Sequence, residues 1–205
     1  MKNLTEVVLI LDCSGSMYGV KDETIEGYNS FLDSQKKLEG ECLVTSVIFS
    51  GKAKIVNDRE DLKSIKKMTE EDYKPHGCTA LYDAVGGSIY HINFIHRYIR
   101  EEDRPDKVLY VIITDGMENA SRKYSGRDIK NMIEKEKEKG NQFIFLAANI
   151  DTEEVARDLS IDEDMAYSYE STPMGVRMNF ATINECTCNF RQNKDVKAGF
   201  KSKKN

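Results

Sequence analysis

No apolar run in the sequence approaches the roughly 20 residues that a membrane-spanning helix needs, so no span is expected. Nor is a signal peptide expected, since the first apolar segment starts almost at Met1. Cysteine is sparse and odd in number, five residues with no framework spacing. Disulfides are therefore not expected, whereas reduced thiols in a cytoplasmic setting are. Positive charge is in deficit, 30 Lys and Arg against 35 Asp and Glu. The resulting net charge of −5 argues against general binding to nucleic acid or to an anionic membrane. Only three histidines are present. His91 and His96 lie five apart in a helical pattern, the wrong spacing for a shared zinc, and both read as surface residues. His76 reads as a plain loop histidine. Cys186-x-Cys188 also sits in a helical pattern, where residues two apart face away from each other. The common catalytic signatures are missing as well. There is no Gly-x-Ser-x-Gly elbow and no Gly-rich loop ending in Lys-Ser/Thr.

What is present suits a folded α/β chain. Hydrophobic residues make up 40 % and charged residues 32 % of 205 positions, enough for one domain with a sizeable core. Apolar runs at 6–11, 42–49, 53–56, 108–113, 143–148 and 166–169 read as strands. The Ser50-Gly51-Lys52 link allows only a hairpin, so one edge strand is expected to be antiparallel. Helical spacing is seen at Ile25, Tyr28, Leu32 and Gln35, with Gly40 as the stop, and again from Leu81 to Ile99. The Gly86-Gly87 pair in the second of these suggests close packing on the sheet. A short helix is expected over 61–68. Ser125 to Asp128 resembles a capping box, and Thr172-Pro173 opens a last helix with Val176, Phe180, Ile183, Thr187 and Phe190 inward. The alternation of strand and helix predicts a doubly wound, mostly parallel sheet of about six strands covered on both faces. Residues 194–205 carry five lysines and one aspartate and read as a solvated, frayed tail.

The first strand runs straight into Asp12-Cys13-Ser14-Gly15-Ser16-Met17. Asp12, Ser14 and Ser16 alternate, so an extended loop aims three oxygen atoms one way. Thr79 comes just before the long second helix, and Asp115 just after the apolar run 108–113. Oxygen donors of this kind favour a hard cation such as Mg²⁺ or Mn²⁺. Open α/β sheets bind ligands beyond the carboxyl ends of their strands, where strand order reverses. Both aspartates fall there if their strands are neighbours. A haloacid-dehalogenase phosphatase would need a second Asp where Ser14 stands, and two-metal hydrolysis would need more carboxylates. Enzymatic activity is not expected. Cys13 and Cys78 read as packed small hydrophobes.

At Asp12, Ser14, Ser16, Thr79 and Asp115 the chain resembles von Willebrand factor A domains with a complete metal-ion-dependent adhesion site. It is similar to standalone cytosolic members of bacterial or phage type, which often carry a Met after the second Ser. The resemblance runs from about residue 3 to 190 and implies one such domain over 1–193, followed by the tail. It also implies that a Glu or Asp of a partner protein fills an open position on the Mg²⁺ or Mn²⁺. Met17, Tyr18, Tyr82 and Glu118 are candidates for the rim around that position. Ro-type RNA-binding proteins resemble the domain in one part, which leaves an RNA-associated reading through the basic tail. Self-assembly, with one copy's acidic loop capping another's metal, is a further alternative.

Overall fold

The computed structural model describes residues 4–201. Six strands form one sheet in the order β3-β2-β1-β4-β5-β6. They span Leu4–Asp12 (β1), Glu41–Phe49 (β2), Ala53–Asp61 (β3), Lys107–Thr114 (β4), Gln142–Ala147 (β5) and Ala166–Ser168 (β6). Only the β2–β3 pairing is antiparallel. The helices are α1 (Lys21–Gln35), α2 (Leu81–Tyr98), α3 (Gly126–Glu138), α4 (Thr152–Asp158), α5 (Pro173–Arg191) and α6 (Ala198–Lys201). This is the doubly wound, mostly parallel architecture with one antiparallel edge. Strand β1 is buried along its whole length because both faces are covered. No helix among the described residues is long and apolar enough to cross a membrane, and the five cysteines form no disulfide.

The chain runs from β1 outward to β2 and β3, then returns to β4 on the other side of β1. Strand order therefore reverses between β1 and β4, which pair in parallel with Leu11 opposite Ile113. That register sets Asp12 and Thr114 side by side at the carboxyl edge. Local chemistry fixes the helix starts nearby. Ser125 and Asp128 form a reciprocal capping box on α3, and Thr172 caps α5 with Pro173 in its first turn. Val176, Phe180, Ile183, Thr187 and Phe190 are all buried.

Four expectations need correction. Residues 61–68 form no helix: β3 runs to Asp61 and an irregular segment follows. Leu62, Ile65 and Met68 are buried at helix-like intervals, but side chains of α1 and of the residue that caps its end hold this backbone. Asn29 bonds Met68 N and O at 2.8 and 2.9 Å, and Lys36 Nζ donates to Ile65 O at 2.9 Å. Gly86 is the close-packing residue of its pair, but it faces Tyr124 and Ile129, not the sheet. A Cβ there would lie 2.7 Å from the Tyr124 ring. His96 is no plain surface residue: its Nε2 lies 2.8 Å from Oε2 of the fully buried Glu6, whose Oε1 accepts from Arg59 Nε at 3.1 Å. The basic tail is not frayed over its described part, since Val196 and Phe200 are buried. Gly199 comes so close to Cys186 that a Cβ would be 2.6 Å from its Sγ. Two apolar side chains outweigh the lysines around them. Residues 202–205 lie outside the described part.

Candidate metal centre

Asp12 closes β1 with both carboxylate oxygens engaged. Oδ1 accepts from Ser14 N at 2.7 Å, and Oδ2 accepts from Thr114 Oγ1 at 2.6 Å. The main chain at this point is pinned by two buried tyrosines. Tyr73 OH donates to Asp12 O, and Tyr169 OH donates to Thr114 O at 3.2 Å. Beyond Asp12 the loop enters a 3₁₀ turn at Gly15–Val20, and Gly15 N donates to Gly77 O at 3.1 Å. That bond draws the 77–80 loop over the first one.

The hydroxyls and the second carboxylate meet here. Ser14 Oγ lies 3.1 Å from Ser16 Oγ, and Ser16 Oγ donates to Asp115 Oδ1 at 2.5 Å. Ser171 Oγ reaches Asp115 Oδ2 at 3.4 Å from the segment before α5. Thr79 joins them through Asn119, whose Oδ1 accepts from Thr79 N at 2.9 Å and whose N donates to Thr79 O at 3.0 Å. Gly116 keeps the space between the hydroxyls clear. A Cβ there would stand 3.5 Å from Thr79 Oγ1 and 4.0 Å from Ser16 Oγ. Asp12, Ser14, Thr79 and Asp115 are buried, while Ser16 is exposed. The cluster therefore has one open side.

Charge in this cluster is uncompensated. Burial pushes the Asp12 carboxyl above its ordinary range, against the pull of the Thr114 and Ser14 donors, and the Asp115 charge adds to the rise. Burial likewise raises Asp115, opposed by the Ser16 and Ser171 hydroxyls. No cationic side chain is among the groups that set either one. Among the described residues, no three His, Cys, Asp or Glu side chains are placed to hold a metal. An ion here would rest on two carboxylates and neutral hydroxyls. An all-oxygen set with two unpaired acids fits a hard divalent cation. Asp12, Ser14, Ser16, Thr79 and Asp115 are the residues that would hold it.

The rim differs from expectation in three residues. Tyr18 is 76 % exposed beside the crevice. Met17 is core instead, because the 3₁₀ turn, closed by Met17 N donating to Ser14 O at 3.1 Å, directs it inward. Tyr82 is half-buried against Gly126 at the start of α3. Glu118 braces its own loop. Its Oε1 accepts from Ala120 N and Ser121 N at 2.9 and 2.7 Å, and its Oε2 from Tyr82 N and Ser121 Oγ at 2.9 and 2.7 Å. A carboxylate with four donors is not free to meet a partner. Cys13 is buried, and burial pushes its thiol up to about 11. Cys78 is exposed, not packed. His76 ties the loop down through Lys74 O at 2.7 Å and Ser50 Oγ at 3.3 Å.

Sequence reasoning passed over Met117 and Met174. They are 67 % and 63 % exposed, one two residues after Asp115 and the other three after Ser171. It also passed over Asn119, Thr114 and Ser171. Thr114 was legible, as the neighbour of Asp115 at a strand end. Ser171 carries no local signal, since only the fold brings it to Asp115.

No protein-family model and no curated protein matches the sequence. Solved structures do match the shape. A von Willebrand factor type A structure from Catenulispora acidiphila superposes with a TM-score of 0.56 at 14 % identity, over 89 % of this chain and 42 % of that one. The fold is that of a von Willebrand factor type A domain. Proximal thread matrix protein 1 from the mussel byssus has this arrangement with a TM-score of 0.62 at 13 % identity, over 90 % of this chain and 46 % of that one. A further crystal of the mussel protein has zinc in its metal-ion-dependent adhesion site. Manganese-loaded TRAP from Plasmodium vivax gives a TM-score of 0.59 at 16 % identity, over 88 % of this chain and 74 % of that one. The chain spans about half the length of the mussel protein (46 %) and 42 % of the Catenulispora one.

Proposed function

We propose that this von Willebrand factor A domain is a metal-ion-dependent protein-binding module that captures a Glu or Asp side chain of a partner protein, and not an enzyme. The observation that carries this reading is the meeting of the Ser14, Ser16 and Asp115 oxygens, 2.5 to 3.1 Å apart along the chain of contacts, with one side left open. The metal-loaded relatives of the same fold support it. A bound Mg²⁺ or Mn²⁺ with an open position supplies a directional bond to an incoming carboxylate. Asp12 and Asp115 provide the negative charge that retains a cation, and the three hydroxyls add oxygen atoms without further charge. Asp12, held by two donors, keeps its place as the site fills. Around the opening, Tyr18, Met117 and Met174 offer apolar surface for a partner to cover.

The buried Val196 and Phe200 weigh against the RNA-associated reading, because they engage part of the tail on which it relies. The chain's five cysteines, none of them in a disulfide, fit the cytoplasmic location we assign. The test uses the full chain, immobilised and exposed to a native lysate in Mg²⁺ or in EDTA. Capture in Mg²⁺, release by EDTA and loss when one acid of the captured protein is changed to its amide are expected. Equal capture in EDTA would overturn the reading.

A further inference from the structure

Away from the metal centre, three large aromatic side chains stand out on one helix. Tyr90, Phe94 and Tyr98 of α2 are 58 %, 48 % and 71 % exposed. Spaced by four, they form one ridge along the helix. The ring centroids of Tyr90 and Phe94 are 6.2 Å apart, and those of Phe94 and Tyr98 are 4.9 Å apart. The buried stripe of α2, with Leu81, Val85, Ile89 and Ile92, lies on the opposite face. The ridge therefore points straight into solvent. Contacts between rings of one helix offset little of the cost of leaving all three in water.

We infer that this ridge is the interface of a twofold-symmetric dimer of the chain, with α2 packed antiparallel on α2. The pattern Tyr90-x₃-Phe94-x₃-Tyr98 reads the same in both directions. A twofold axis through Phe94 sets Tyr90 of each copy against Tyr98 of the partner subunit. Such self-complementarity is what an isologous contact requires. The charges at the two ends of the ridge are complementary as well. At the Tyr90 end, Lys123 Nζ lies 5.6 Å from the ring centroid, with Arg122 next to it in the chain. Past the Tyr98 end comes the exposed acidic turn Glu101–Asp103. Arg100 engages Glu102 and Asp103 at 2.6 and 2.8 Å, which leaves Glu101 outside that pair. Antiparallel helices bring Lys123 of each copy to Glu101 of the partner subunit. The same acidic turn disfavours a nucleic-acid strand along the rings.

At about 200 Å² a ring, the exposed parts of the three come to roughly 350 Å² per copy. That is about half of the roughly 800 Å² per partner in a stable interface, so the rings form its centre and the flanking charges its rim. Dimerisation in the micromolar range follows. The metal loops sit at the other end of α2, so an antiparallel pair presents two open crevices for bivalent capture.

Sedimentation equilibrium of the full chain in EDTA, from about 2 to about 200 µM, tests this independently of any metal. The wild type is expected to pass from monomer to dimer. Phe94→Glu is expected to stay monomeric with an unchanged far-ultraviolet circular dichroism spectrum. Lys123→Glu should weaken the dimer about tenfold, and Glu101→Lys added to it should restore it. A wild type that is monomeric throughout, a dimer indifferent to Phe94→Glu, or a charge swap that fails to restore would each overturn the proposal.

Discussion

Changing Asp115 to asparagine, or Asp12 to asparagine, is expected to lower divalent-metal affinity about a hundredfold or more, at or beyond the upper end of what losing an outer hydrogen-bond partner costs. Partner capture should vanish with it. The fold should survive, because an amide keeps the shape and most of the hydrogen bonds of each site. Stability gives a separate readout. Both carboxyls are raised, first by burial, and Asp12 also by its acidic neighbour. A raised carboxyl favours the folded state below its ordinary pKa, and that contribution is lost as pH rises through the raised value. The metal-free protein should therefore lose stability as pH rises from about 4 through the raised values of these groups. Either amide variant should lose less. A cation at a hundred times its dissociation constant adds about 2.7 kcal/mol to the wild type. Thermal melts with and without Mn²⁺ across that range measure both effects. A variant that keeps the full metal-induced shift would remove its residue from the site.

Arg191→Ala is expected to cost about 3 kcal/mol, a fall of roughly 6–12 °C in Tm for a chain of this size. Arg191 is buried, and the oxygens it reaches are carbonyls. Its guanidinium donates to Gln35 O and Oε1 at 2.7 and 3.1 Å and to Glu39 O and Gly40 O at 3.4 and 3.2 Å. These are carbonyls at and just past the C-terminal end of α1, where helix carbonyls lack partners and the helix dipole is negative. Alanine leaves them unsatisfied and opens the α1–α5 contact below Gly27, which already meets the Phe180 ring. A lysine should recover less than half the loss, since one ammonium cannot reproduce a planar fork. Metal affinity should not change, because α1 ends opposite the carboxyl edge of the sheet. Chemical denaturation decides it. A cost under about 1 kcal/mol would mean that water replaces the guanidinium freely.

The parts legible in the sequence share a cause. Asp12, Ser14, Ser16, Thr79 and Asp115 lie at ends of strongly patterned elements, where a local signal also fixes the position in space. The sheet followed from the alternation of strand and helix, and its antiparallel edge from a three-residue link. The failures arose where distant contacts override local pattern. Residues 61–68 show helical spacing, yet Asn29 and Lys36 hold that backbone in another form. Val196 and Phe200 are surrounded by lysines, yet both are buried, with the Phe200 ring 6.2 Å from that of Tyr167. Met17 and Glu118 sit beside ligand positions in the chain, but one turns into the core and the other spends its carboxylate on its own loop. Arg191 carries no local signal of its role, because the carbonyls at the end of α1 that it caps lie about 150 residues away.

Crystals soaked in Mn²⁺ and measured for anomalous scattering test the central claim most directly. One peak is expected within bonding distance of the Ser14 and Ser16 hydroxyls, with at least one coordination position left unfilled by this chain. A crevice without a peak, or an ion wholly enclosed by the chain's own oxygens, would contradict the account.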